Sequence, residues 1–367
     1  MNDATHSLLA PSAASRWVKC PASVKLEALY PQDDSDASAE GTLAHEVVAS
    51  ALHNEPLSTA DEDMLDGALM CLAEVNEIRD NTLNLKEFIE EEVDCSVIHE
   101  DCYGTPDYFA ISDNDVWIID YKYGHRYVDV FENWQLLAYA TGILHKMRKE
   151  GLYDATKTVN FIARIVQPRC YDWEGPVREW RFTAQELRNY SVKLQEAAQL
   201  AMSPEPTANV TAECRDCNAR HSCATLQRAT YHVIEWSTQG APHCDMPTSA
   251  SAMELGMIET ALEVLKARQS GKEAEVMRHL KNGEVVVGWS LKQGAGRQKW
   301  SQGFDDIVAL GEMAGVTLTK PALITPKQAI KAGLPEAVVA GYSETPMGEI
   351  KLVRDNGALQ RKVFNHG

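Results

Sequence analysis

Residues 104–122 read GTPDYFAISDNDVWIIDYK, and this stretch decides the fold. Tyr103 to Ile111 and Val116 to Tyr123 are rich in apolar and aromatic residues, and Ser112-Asp113-Asn114-Asp115 between them is a turn signal. They predict two adjacent strands of a β-meander. Asp120 and Lys122 stand two apart, so they project from one face of their strand. If the preceding strand pairs antiparallel through the short turn, Asp107 lies beside Asp120. Two carboxylates and one ammonium then share a small volume. Such a pair of acids suits a hard, oxygen-seeking cation such as Mg²⁺ or Mn²⁺. The competing reading is a surface ion pair worth under about 1 kcal/mol. The apolar run Trp117-Ile118-Ile119 weighs against it, since buried strands rarely carry charge without purpose.

Outward from this stretch, Glu40 to His53 carries Leu43, Val47 and Ala51 at helical spacing, and Asp61 to Arg79 predicts a second, acidic helix. Phe88 to Val97 reads as extended, with Val93, Cys95 and Val97 alternating. Phe131 to Arg148 returns to helical spacing, Thr156 to Gln167 predicts a strand and Thr183 to Met202 a helix. The order implies an α/β core with a mixed sheet. Ser203-Pro204-Glu205-Pro206 stops the last helix. A stretch near 237–250 reads as a linker, and Ser251 to Lys281 as one long helix. The expected organisation is a core domain over 1–235, a linker and helix over 236–282, and a small α+β unit over 283–367.

The 367 residues carry a net charge of −18, which excludes a protein coated in nucleic-acid-binding surface. The charge is uneven. From Arg278 onward, 12 Lys and Arg face eight Asp and Glu, so the last quarter is mildly basic. No apolar run approaches the roughly 18 residues of a membrane span. No secretory leader is visible at the N-terminus, so the expected compartment is the cytoplasm, without membrane association. Nine cysteines, an odd number, do not read as a disulfide framework.

Gly104-Thr105-Pro106-Asp107, a strand ending Ile118-Ile119-Asp120-Tyr121-Lys122, and a helix bearing Gln135 and Tyr139 together resemble the RecB-like branch of the PD-(D/E)XK nuclease superfamily. That branch also carries a Gly-Thr-x-x-His motif on its first core helix, and Gly41-Thr42-Leu43-Ala44-His45 is similar to it. The resemblance covers roughly residues 6–235. It implies a restriction-endonuclease-like core in which His45, Asp107, Asp120 and the Tyr121 carbonyl hold Mg²⁺ or Mn²⁺. Lys122 would be the catalytic lysine, and Gln135 and Tyr139 would line the site.

Cys214, Cys217 and Cys223 place three thiols within ten residues, and Cys20 lies far upstream. Several RecB-like nucleases have one cysteine before the core and three after it, holding a 4Fe–4S cluster, and the resemblance implies the same here. Zn²⁺ held by the three and either Cys20 or His221, or simply buried thiols, are the alternatives. The remaining cysteines read as small hydrophobes.

Residues 289–300, WSLKQGAGRQKW, mix basic, glycine and aromatic residues. Lys292, Arg297 and Lys299 are candidate DNA contacts, against the plainer reading of a solvated hairpin loop. No Gly-Lys-Ser/Thr follows the glycines, so no phosphate-binding loop or ATP-driven motor is read. The layout from His6-Ser7 through Arg16-Trp17 to this tail also resembles a family found in bacteriophages and prophages. The expected activity is therefore a DNA nuclease, an exonuclease by family analogy, in phage recombination or replication. The expected partners are DNA and a phage single-strand-binding or annealing protein, with an oligomer compatible with the core. The alternative is a catalytically silent DNA-binding or assembly protein that keeps the fold.

Overall fold

The meander forms, though in more pieces than the alternation predicts. The computed structural model describes residues 7–30, 36–57, 61–170, 172, 174–238 and 248–291. Strand β1 (Lys86–Ile89) ends where Glu90 adopts φ 46°, a left-handed conformation costly for a residue with a Cβ. The extended reading of 88–97 is thus split. β2 (Val93–Asp94) leaves the main sheet and pairs with β3 (Tyr103–Gly104) in a separate two-stranded ribbon. Pro106 lacks the N–H a ladder needs, and the 103–111 strand is interrupted at Thr105–Asp107. β4 (Tyr108–Ser112) and β5 (Asp115–Tyr121) then pair antiparallel across a turn with Asp113 at φ 49°. Their register sets Tyr108 opposite Ile119, so the next position sets Asp107 opposite Asp120.

Beyond β5, α5 (Trp134–Glu150) crosses over to β6 (Asn160–Val166), which runs parallel to β5. β7 (Val177–Thr183) closes the sheet antiparallel to β6, giving the order β1-β4-β5-β6-β7. The sequence reading lacks β7. Its inward positions are Arg178, Trp180 and Phe182, and an arginine in the inward row breaks the apolar alternation that would have revealed it.

The mixed sheet is flanked by helices on both faces, as an α/β class requires. Phe109, Ile111, Val116, Ile118, Phe161, Ala163 and Ile165 pack with α5 and α6 (Ala184–Met202). α6 starts where Thr183 and Glu186 form a reciprocal capping box. The other face, with Tyr108, Ala110, Ile119 and Tyr121, packs against the helices further upstream in the chain. Those are α3 (Asp36–Leu52) and α4 (Glu62–Asn81), which follow two short helices, α1 (Ala14–Lys19) and α2 (Ser23–Ala28). The close fit on this face is visible at Gly67 of α4, where a Cβ would stand 2.2 Å from the Tyr121 hydroxyl. Downstream run α7 (Ala224–Thr238) and α8 (Thr248–Lys281).

The described residues as far as Val285 fall in one compact unit, and a second unit begins at Val286. Only residues 286–291 of that second unit are described. Lys292, Arg297 and Lys299, with most of the basic tail, lie outside the described residues, as do His6 and Cys244. Among the described residues, no helix is long and apolar enough to cross a membrane.

Arg164 on β6 ties the sheet to α4, bonding Glu74 at 2.9 Å, Glu77 at 3.1 Å and Glu179 at 2.8 Å. Burial pushes the Glu179 carboxyl up, but Arg164 and Arg181 outweigh it and hold its pKa below the usual value. Such a lowered carboxyl adds stability above its unfolded pKa and loses it as pH falls through the folded one. Arg164→Ala leaves Glu74 and Glu77 without their cation, while Glu179 keeps only Arg181. The expected cost is about 2 kcal/mol at pH 7, shrinking as pH falls through the carboxylate range, read by urea unfolding at pH 7 and again within that acid range.

Candidate active site

Asp120, Lys122 and Asp107 meet at the carboxyl end of β5, where the antiparallel register brings the start of β4 alongside. Asp120 is 3% exposed. Its Oδ2 lies 2.9 Å from Lys122 Nζ, and its Oδ1 accepts a 2.7 Å hydrogen bond from Gln135 Nε2. Lys122 Nζ also donates to Gln135 Oε1 at 3.0 Å. One glutamine from the first turn of α5 therefore holds both the acid and the amine. It can do so because the Asn133 side chain caps that turn and accepts the Gln135 N–H.

Asp107 is held from two sides. His45 Nδ1 on α3 sits 2.8 Å from Asp107 Oδ1, and the Tyr121 N–H donates to Asp107 Oδ2 at 2.7 Å. The Tyr121 main chain thus runs through the site while its ring packs on the α3–α4 face, edge-on to His45 at 5.4 Å. Tyr139 sits one turn beyond Gln135 and is 3% exposed; its hydroxyl donates to the Thr105 carbonyl at 3.1 Å. It braces the Gly104–Asp107 segment from behind. Gly104 has to be glycine for the same packing: a Cβ there would stand 2.9 Å from Pro11 Cδ and 3.4 Å from the Tyr139 ring.

The charges shape one another. Burial raises the Asp120 carboxyl more than Lys122 lowers it. Burial works against the Lys122 ammonium, but Asp120 overrides it, so Lys122 stays charged. Burial likewise disfavours imidazolium at His45, and the Asp107 hydrogen bond and charge overcome it, leaving its pKa raised. A cluster of two acids with this much burial favours positive charge nearby.

These groups line a cleft of about 770 Å³. The structure brings His45, Asp107, Asp120, Lys122, Gln135 and Tyr139 to this one place. Sequence reasoning missed Ser7, Ser12 and Glu92, which line it too. Glu92 sits in the run Glu90-Glu91-Glu92, where no spacing distinguishes one acid from the next. Ser7 Oγ donates to the Asp101 carbonyl and accepts the Tyr103 N–H, which fastens the N-terminal segment to the cleft wall.

The four cysteines form a second place. Cys20 ends α1, Cys214 lies in the short 3-10 turn Ala212–Asp216, and Cys217 and Cys223 bracket the turn Asn218–His221. All four line one small cavity with Leu26 and Leu226. Backbone N–H groups point at three of the sulfurs: Asn209 at Cys20 (3.4 Å), Thr211 at Cys214 (3.4 Å) and Leu226 at Cys223 (3.5 Å). Burial pushes the Cys20 and Cys214 thiols up and takes Cys217 to about 12. His221 turns away, its Nδ1 against the Asn218 carbonyl and its ring 4.4 Å from Tyr30. Helix α8 buttresses the turn, with Arg268 Nη1 bonded to the carbonyls of Arg220 and His221.

Among the described residues, no three His, Cys, Asp or Glu side chains stand disposed to hold a metal ion. At the acid cleft the physical reason is plain: the carboxylate oxygens are engaged by Lys122, Gln135, His45 and the Tyr121 N–H. A family model described as "Protein of unknown function (DUF2800)" matches residues 6–68 and 58–356. The chain belongs to this family. The DUF2800 match takes in the acid cleft and all four clustered cysteines, so both places lie within what the family model describes.

Proposed function

We propose that this DUF2800 protein is a divalent-metal-dependent DNA nuclease with a PD-(D/E)XK core of the RecB-like branch, acting as an exonuclease in phage or prophage DNA recombination or replication. One observation carries the reading. His45 on a helix, Asp107 just before β4, Asp120 near the end of β5 and Lys122 just past it are separated by up to 77 positions in the chain and converge on one cleft.

By chemical type the donor set suits Mg²⁺ or Mn²⁺, two carboxylates and one imidazole, and an ion would have to displace the protein donors that now engage the acid oxygens. Held by His45, Asp107 and Asp120, with the Tyr121 carbonyl as a further candidate, the ion would polarise a phosphoryl oxygen and acidify a water. Lys122 has three N–H donors and uses two on Asp120 and Gln135. Its remaining donor suits the charge that develops on a phosphate. Gln135 fixes the Asp120–Lys122 pair, and Tyr139 holds the strand entry that carries Asp107. DNA is the proposed substrate. A phage annealing or single-strand-binding protein is the proposed partner, and assembly into an oligomer is compatible with this core.

A linear DNA substrate, end-labelled in single- and double-stranded form, tests the reading. Cleavage is expected with Mn²⁺ or Mg²⁺ and is expected to stop with EDTA. One observation favours a second reading, a catalytically silent DNA-binding or assembly protein: the acid oxygens are already satisfied by protein donors. Binding of DNA without cleavage in either metal would establish that second reading instead.

Four thiols lining one cavity, with N–H donors aimed at three of the sulfurs, support a 4Fe–4S cluster by ligand type, although the sulfurs do not stand in a metal-holding arrangement. Chain purified without oxygen is expected to be brown with broad visible absorbance, and Cys214→Ser to be bleached. A colourless protein carrying one equivalent of zinc would assign the site to Zn²⁺.

A further inference from the structure

Lys122 and Gln135 touch across the site, yet twelve residues without helix or strand, 122–133, separate the end of β5 from α5. A connection of that kind is ordinarily mobile. Here it is pinned from beneath by one side chain. Gln167 follows β6 directly and is 0% exposed. The parallel register pairs Tyr121 with Val166, so Gln167 lies beside Lys122 one step on. Its Nε2 donates to the carbonyls of Gly124, at 2.6 Å, and Arg126. Its Oε1 accepts the Val128 N–H at 3.2 Å and Arg178 Nη2 at 2.6 Å.

Arg178 completes the arrangement. It is 4% exposed, and its described bonds are all to uncharged oxygens: Gln167 Oε1, the Val128 carbonyl at 3.2 Å and the Gly175 carbonyl at 3.0 Å. Its guanidinium also lies 4.7 Å from the centre of the Tyr127 ring. The rest of the connection secures itself, with Asn133 Nδ2 donating to the Asp129 carbonyl and Asp129 Oδ1 accepting the Phe131 N–H. Main-chain groups of 124, 126, 128 and 129 are therefore all held by side chains. A buried charge and a buried amide spent on one loop are costly unless the loop's position matters.

We propose that Gln167, backed by Arg178, is a positioning residue: it fixes the 122–133 connection and so sets the spacing between the end of β5, with Asp120 and the Lys122 that follows it, and α5, which carries Gln135. The Asp120–Gln135–Lys122 triangle closes at 2.7–3.0 Å, a tolerance that a wandering connection would not keep. Catalytic geometry is steep in such displacements, with about 1 Å costing on the order of 10²-fold in rate.

The inference rests on the nuclease reading, and the test separates the two. Gln167→Glu keeps the acceptor for Arg178 and Val128 but removes both donors to the loop carbonyls. With linear DNA and Mn²⁺, the expected result is a kcat lower by at least about tenfold with KM nearly unchanged, in protein that melts cooperatively. An unchanged kcat, or a rise in KM alone, overturns the proposal. Hydrogen exchange on the unmutated chain supplies a check that needs neither folding of the variant nor activity. The Val128 amide is expected among the slowly exchanging loop amides, and exchange at the rate of an exposed loop amide also overturns it. An unmutated chain that cleaves no DNA defeats the nuclease reading, and with it the positioning role given to Gln167, whatever the exchange result.

Discussion

Asp120→Ala is expected to lower metal-dependent DNA cleavage by about 10³-fold or more while leaving a folded protein. The substitution removes a carboxylate whose two oxygens bond Lys122 and Gln135, so it withdraws a proposed metal ligand and releases the amine from its place at once. Lys122→Ala is expected to lose a comparable factor by a different route. It keeps both acids and removes the donor for charge developing on the phosphate. Effects within such a unit do not add, so the double variant is expected to be no slower than the slower single one. Stability moves far less than rate, because Asp120 sits at the rim of the sheet and its carboxyl is already disfavoured by burial. Cleavage rates over a Mn²⁺ titration, beside thermal melts, check both parts. Full activity in either single variant would remove the nuclease assignment.

Phe161→Ala is expected to cost about 3–5 kcal/mol. Phe161 is 0% exposed on β6, one strand in from the β7 edge, and stacks on Phe182 of β7 at 5.2 Å with the rings 11° apart. Trp180 continues the row, 4.3 Å from Phe182, and Phe131 touches Trp180 at 5.3 Å. Truncation opens a cavity under a strand that is held on both sides, by β5 and β7, and cannot collapse into it. The expected readout is a lower urea midpoint with an unchanged m-value. A cost under about 1 kcal/mol would show that the aromatic row on this face repacks.

These three substitutions also mark which parts of the protein were legible from residues alone. The meander around Asp107 and Asp120 could be read because two short apolar runs and the polar turn between them are local signals. The same locality explains the errors. The left-handed Glu90 divides one expected strand between two sheets, and Pro106 interrupts another. β7 escaped notice because Arg178, which belongs to the loop clamp, occupies an inward position.

Sequence by itself determined the apolar runs, the turn and the helix punctuation, and with them an α/β chain in which Asp120 and Lys122 fall two apart at the end of a strand. Those properties depend on neighbours a few residues apart, which a linear reading contains. Only the tertiary structure decided that His45 meets Asp107, that Gln135 bridges the acid and the amine, and that Gln167 reaches back beneath the loop after Lys122. Cys20 likewise joins cysteines nearly two hundred positions away only when α1 and the downstream turns fold together. Contacts of that range arise from the packing of helices against both faces of one sheet, and no spacing within the chain encodes them.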